Sequence, residues 1–198
     1  MEAAVSRTKK DFAMRIVIAA FAIALSGCAS PPVNRVSAAP LTVVPSVDLN
    51  RYLGRWYEIA RYDNRFEKGC EGVTAEYAMR ADGLISVANT CRDGSPSGKA
   101  RQSEGRARVI DEVTNAKLKV NFFGPFWGDY WIIDLKEDYS RAIVSEPKGR
   151  YLWILSRTPT ISDEDRAEAD ATLKALGFNV SALRDTRQPP DPDRPETD

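Results

Sequence analysis

The chain has no histidine among its 198 residues. A Ser-His-Asp or Cys-His catalytic engine is therefore excluded, and so is a His-ligated zinc or haem. Cysteine is scarce, with Cys28, Cys70 and Cys91 the whole supply, too few for a four-thiolate zinc site. Neither sign of charge is in excess, since 28 Lys+Arg face 28 Asp+Glu. Without a basic surplus to neutralise phosphates, nucleic acid is not a partner. Long apolar runs are missing too. The run 16–25 holds ten residues and rises only about 15 Å as a helix, half of a hydrocarbon core of about 30 Å. No metal and no cofactor is expected.

That run instead reads as the apolar centre of an export signal, preceded by Arg7, Lys9, Lys10 and Arg15 against only Glu2 and Asp11. Met1 and Met14 both serve as starts for it. It closes on Leu25-Ser26-Gly27-Cys28, which resembles the bacterial lipobox, in which the Cys is acylated and becomes the new N-terminus; the alternative is an ordinary signal with a chance Cys. Ala29 rather than Asp after it implies, by that resemblance, sorting to the outer membrane. Without residues 1–27 the chain carries 24 basic and 26 acidic residues. Residues 28–46 read as a Pro/Ala/Ser tether, and 185–198 as a tail too polar and proline-rich to pack. The folded body is expected over 47–184.

Within the body, eight short strand patterns alternate with turn chemistry: 55–61, 73–79, 84–91, 101–109, 117–122, 130–135, 142–145 and 151–156. Leu118, Val120 and Phe122 share one face of their strand, and Val73, Ala75, Tyr77 and Met79 share one of theirs. No helix interleaves, so the fold class is all-β, an eight-stranded antiparallel up-and-down barrel that removes its edges and encloses room for one small ligand. Strands 56–60 and 151–155 are apolar on both faces and need cover outside. One C-terminal helix supplies it, from N-cap Ser162 to Leu176 with Gly177 as its stop. Its Ala169, Leu173 and Leu176 would pack on Tyr57, Ile59, Leu152 and Ile154. If Met79 opposes Leu84, Cys70 and Cys91 fall two positions out of register, a slip that a bulge near Gly72 absorbs. A disulfide across that hairpin is then feasible in an oxidising compartment, the alternative being two unpaired thiols.

Three separated stretches resemble the lipocalin motifs. Gly54-Arg-Trp56 follows a short lead, Asp138-Tyr139-Ser-Arg-Ala142 stands midway without an intact Thr-Asp-Tyr, and Trp153-Ile-Leu-Ser-Arg157 comes late. The stretches 121–126 and 155–162 are similar to the bacterial outer-membrane lipocalins (Blc type), relatives of apolipoprotein D. The resemblance implies that Arg157 packs across Trp56 to seal one barrel end, an attraction worth about 0.5–2 kcal/mol. It also implies that Tyr77 and Trp153 face ligand. Tyr77, Val87, Phe122, Tyr130 and Trp153 are the interior candidates, expected nearer the open end. The bland alternative is that these aromatics simply fill the core. Phe123, Phe126 and Trp127 flank a turn as an apolar rim facing membrane, ligand or a second subunit, and homodimerisation stays open. By resemblance, the expected function is a non-catalytic outer-membrane lipoprotein facing the periplasm. It binds or carries a fatty acid or lysophospholipid, held to the membrane by its N-terminal lipid. The competing reading is a lipid-modifying enzyme working through Glu58 or Tyr77.

Overall fold

Alternating apolar positions, broken every eight to twelve residues by Gly, Asp or Pro, wrap the chain into a closed barrel. The computed structural model describes residues 33–37 and 39–190. The signal of 1–27 and the acylation at Cys28 lie outside the described residues. A one-turn helix α1 (Leu49–Tyr52) leads into β1 (Gly54–Tyr62), β2 (Cys70–Met79), β3 (Ile85–Asp93) and β4 (Ala100–Val109). These are followed by β5 (Lys117–Phe123), β6 (Phe126–Leu135), β7 (Arg141–Ser145) and β8 (Leu152–Ser156). Helix α2 (Asp163–Ala175), a 3-10 turn (Val180–Ala182) and a ninth strand β9 (Leu183–Asp185) follow among the described residues. Strands β1 to β8 pair antiparallel in chain order, β1 closes the ring against β8, and β9 adds to β1. The β2–β3, β4–β5 and β6–β7 turns, with α1, form one end; the alternate turns and the β1–β2 loop form the other.

Pleating divides the apolar residues into two clusters. Trp56, Tyr77, Val87, Leu118, Ile132 and Leu155 fill the inside, while Ile59, Ile143, Leu152 and Ile154 meet Ala169, Leu173 and Phe178 of the helical side outside. The expected cover by α2 is therefore present, though Tyr57 stands outside that cluster. Ser162 caps α2 by accepting from Asp165 N at 3.1 Å. Gly177, at φ +84, ends it, and a Cβ there would come within 2.7 Å of Val36 O.

Strand β1 explains why its sequence is apolar on both faces. Its register against β8 shifts between Glu58 and Ala60. The bulge turns Glu58 and Arg61 together to the inner face, opposite Leu155 and Trp153, and leaves Ala60 and Tyr62 in the outer cluster. Across β2–β3, Met79 opposes Ile85 rather than Leu84, and the register shifts between Glu71 and Thr74, where Gly72 has φ +54. Cys70 lies opposite Asp93, two positions from Cys91, and the two are disulfide-bonded with Cα atoms 5.2 Å apart. Met79 lies beside its turn and is exposed.

The body is wider than 47–184 at both edges. Within the expected tether, Val36 N donates to Gly177 O, Val44 N to Ile132 O, and Leu41 is buried. Beyond 184, Asp185 pairs with Ala60 in β9. Thr186 N donates to Ile59 O, Gly72 N to Arg187 O, and the Gln188 side chain to the carbonyls of Glu58 and Val73. These residues fill the gap where β1 and β2 diverge above their four paired positions, so unpaired backbone groups of both strands hold a segment whose own composition gives no core signal.

Candidate functional site

One end of the barrel is sealed. The Arg157 guanidinium lies 3.8 Å from the Trp56 ring centroid. Its nitrogens donate to the carbonyls of Arg55 at 2.7 Å, Arg51 at 2.6 Å and Tyr52 at 3.1 Å. Trp56 Nε1 donates to the same Tyr52 carbonyl at 2.8 Å. Tyr139, held at φ +65, accepts through its hydroxyl from Asp48 N and lies under the Arg51 guanidinium. The three motif stretches thus converge on α1, and Gly54, at φ +92, brings β1 away from it.

Above the seal three tyrosines make the floor of the lumen. Tyr130 Oη is 2.7 Å from Tyr52 Oη and 3.0 Å from Tyr77 Oη. Burial pushes all three phenols up, Tyr77 to about 12, so the hydroxyls are neutral and bonded to one another. The cavity between them and Ala107, Leu118 and Val120 is only about 10 Å³, room for about one water.

Between the floor and the open mouth the wall is mixed. Val87 pairs with Tyr77 on one side and Gly105 on the other. A Cβ on Gly105 would come 2.7 Å from the Phe122 ring, so glycine here lets that ring lie against the wall. Nearer the mouth, Trp153 stacks on Tyr151 at 6.0 Å and donates Nε1 to Glu67 Oε2 at 3.1 Å. Behind it Arg61, 1% exposed, binds Glu58, Thr186 Oγ1 at 2.7 Å, and the carbonyls of Glu67 and Cys70, both at 3.1 Å. The Thr186 hydroxyl in turn donates to Glu58. Burial, then the Glu67 carboxylate, pushes Glu58 upward against the pull of Arg61.

The five interior candidates are therefore not together at the open end. Tyr77, opposite Gly54 near the end of β2, and Tyr130, drawn to Tyr52, belong to the floor. Val87 stands next above them, and only Phe122 and Trp153 lie farther from the floor. Tyr52, Arg61, Glu67 and Thr186 are absent from the expected set. Tyr52 was legible in principle, one helical turn before Trp56. Arg61 required the bulge to be foreseen, and Glu67 and Thr186 lie in segments without periodicity.

A closed up-and-down barrel of eight strands, sealed at one end by an Arg over a Trp, defines a single-chain calyx. The chain belongs to the lipocalin family: the model described as "Lipocalin-like domain" matches residues 47–188. It is 47% identical over 175 residues to outer membrane lipoprotein Blc of Escherichia coli K12, covering 88% of this chain and 96% of that one. It is 32% identical over 179 residues to mouse (Mus musculus) apolipoprotein D, covering 85% and 86%. Among solved structures, insecticyanin from the tobacco hornworm Manduca sexta superposes with a TM-score of 0.64 at 20% identity, over 79% of this chain and 88% of that one.

Proposed function

We propose that this chain is an outer-membrane lipoprotein, acylated at Cys28, that carries a single-chain lipid with its hydrocarbon tail in the upper lumen. The observation that carries this reading is a closed barrel sealed at one end, with apolar and polar side chains of its inner face in separate layers above the seal. Apolar Val87 and Phe122 stand above the tyrosine floor, and a polar group of Arg61, Glu67 and Trp153 stands towards the mouth. The tail rests on the floor, and a carboxylate or phosphate head stays at the wet end. Burying a tail of about 16 carbons gains roughly 10 kcal/mol gross, reduced by association and ordering to micromolar or tighter binding. The relatives named outer membrane lipoproteins support the location; that the barrel faces the periplasm is part of the proposal.

Carriage is favoured over turnover because both candidate catalytic groups are occupied. Glu58 is 2% exposed and held by Arg61 and Thr186, and the Tyr77 hydroxyl is bonded in the floor. Delipidated protein titrated with a lysophospholipid is expected to bind it. Trp153→Ala and Phe122→Ala should each weaken binding about tenfold, in line with one large apolar contact. Undiminished affinity in both moves the site elsewhere. Mass spectrometry of the bound lipid after incubation should find it unchanged; a modified lipid returns the enzyme reading. Cys28→Ala protein that still carries an acyl group would sink the anchor.

A further inference from the structure

Two arginines are buried among the described residues. Arg141 lies against α2, whereas Arg61 turns inward above the tyrosine floor. An inward cation is the usual anchor for an anionic head group, but this one is already spent. Its Nη1 donates to Glu58 and Thr186, and its Nη2 to the carbonyls of Glu67 and Cys70, so every Nη hydrogen is used. Its Nε has no acceptor within hydrogen-bond distance, and what stands before it is the Glu67 carboxylate, 3.8 Å away. A carboxylate or phosphate brought to this guanidinium would have to lie against Glu67, negative against negative.

Glu67 reaches this place from the β1–β2 loop, and its side chain is 15% exposed. It accepts from two neutral donors, Asn64 Nδ2 and Trp153 Nε1, fewer than a carboxylate can serve. Its charge is felt within the lumen: after burial, the first cause for both, it pushes up Glu58 on β1 and Tyr77 in the floor. The loop's own cations, Arg65 and Lys68, are exposed and do not pair with it among the described residues. Beside it three rings stand in a row. Trp153 stacks on Tyr151 at 6.0 Å, and Tyr151 meets Phe66 at 5.3 Å. A carboxylate with accepting capacity to spare, next to a row of aromatic rings, suits an organic ammonium, held by charge and by cation–π attraction together.

From the spent guanidinium, the under-used carboxylate and the row of rings we propose that Glu67 selects the head group by charge. It takes the ammonium of a zwitterionic single-chain phospholipid and repels lipids whose head is only anionic, free fatty acids included. Arg61 is then a positioning residue: through the carbonyls of Glu67 and Cys70 it holds the loop that presents the carboxylate. This rests on the carrier reading above and narrows the choice of head left there.

The test titrates the delipidated protein, by calorimetry, with three lipids that share a palmitoyl tail: lysophosphatidylethanolamine, lysophosphatidylglycerol and palmitate. The first two differ only in the ammonium. The wild type is expected to bind lysophosphatidylethanolamine about tenfold more tightly than either of the others, the scale of one hydrogen bond to a charged group. Glu67→Gln keeps the size of the side chain and an accepting oxygen but removes the charge. It should bring the three affinities within about twofold of one another, chiefly by weakening lysophosphatidylethanolamine. A residue that merely held Trp153 and Asn64 in place would change all three affinities alike, so an unchanged ratio in Glu67→Gln overturns the proposal. The wild-type ratio is a test that needs no variant: equal binding of all three lipids, or preference for palmitate, overturns the selection by Glu67 and leaves carriage intact. Wild type that binds none of the three overturns the carrier reading itself.

Discussion

Arg157 and Trp56 share one acceptor: the guanidinium stacked on the indole and the indole Nε1 both donate to the carbonyl of Tyr52. The pair therefore fixes the last residue of α1 as well as each other, and the plug of the barrel depends on both. Arg157→Lys keeps the charge but loses the planar fork and its stack. It should cost about 2 kcal/mol of stability, measured by urea unfolding. A loss no greater than a few tenths would mean that the seal is held by α1 packing alone.

The tyrosine floor gives an unequal expectation for two similar changes. Tyr130 bonds to both other hydroxyls, whereas Tyr77 bonds to one. Tyr130→Phe leaves two buried hydroxyls short of a partner and should destabilise by about 1–3 kcal/mol, more than Tyr77→Phe does. Thermal unfolding of the two variants side by side decides it, and the opposite ranking would show that Tyr52 and Tyr77 find other partners.

The buried Glu58 should be visible in the pH dependence of stability. Its carboxyl is raised in the folded state above the ordinary value of 4.5, first by burial and then by Glu67. The folded protein thus binds the proton more tightly than the unfolded chain, and this group's contribution becomes unfavourable as pH rises above the ordinary carboxylate range. Glu58→Gln removes that term and leaves groups able to bond Arg61 and Thr186. Its stability relative to the wild type should climb with pH, by about 1 kcal/mol per pH unit while the folded carboxyl remains protonated. A constant difference from pH 4 to pH 9 would place Glu58 as an ordinary ionised partner of Arg61.

The C-terminal segment offers a sharp boundary test. Thr186, Arg187 and Gln188 bond to Glu58, Glu71, Gly72 and Val73. Ending the chain after Pro190 should leave the unfolding midpoint unchanged. Ending it after Arg184 removes those bonds and should cost about 3 kcal/mol or more, because Glu58 and Arg61 lose a buried partner. Equal stability of the two truncations would restore 184 as the limit of the body.

The alternation in 117–122, the Ser162 cap and the Gly177 stop were legible because each rests on contacts within a few residues. So were the barrel class, the covering helix and the Cys70–Cys91 bridge, since strand spacing and hairpin register are nearly local quantities. The bulge near Gly72 was expected to bring the two cysteines level; it shifts the register by one only, leaving Cys70 opposite Asp93, and the disulfide spans the two positions that remain. Tertiary structure alone decided where the lumen residues stand. The bulge at Ile59 turns Arg61 inward beside Glu58, and α1 brings Tyr52 down to gather Tyr130 and Tyr77 into a floor. Strand periodicity says which face a side chain takes, but not how far along the barrel axis it meets partners from distant strands. That axial position is set by the stagger of the closed sheet and by which orphaned backbone groups, such as those above the β1–β2 pairing, recruit the polar segment 185–188.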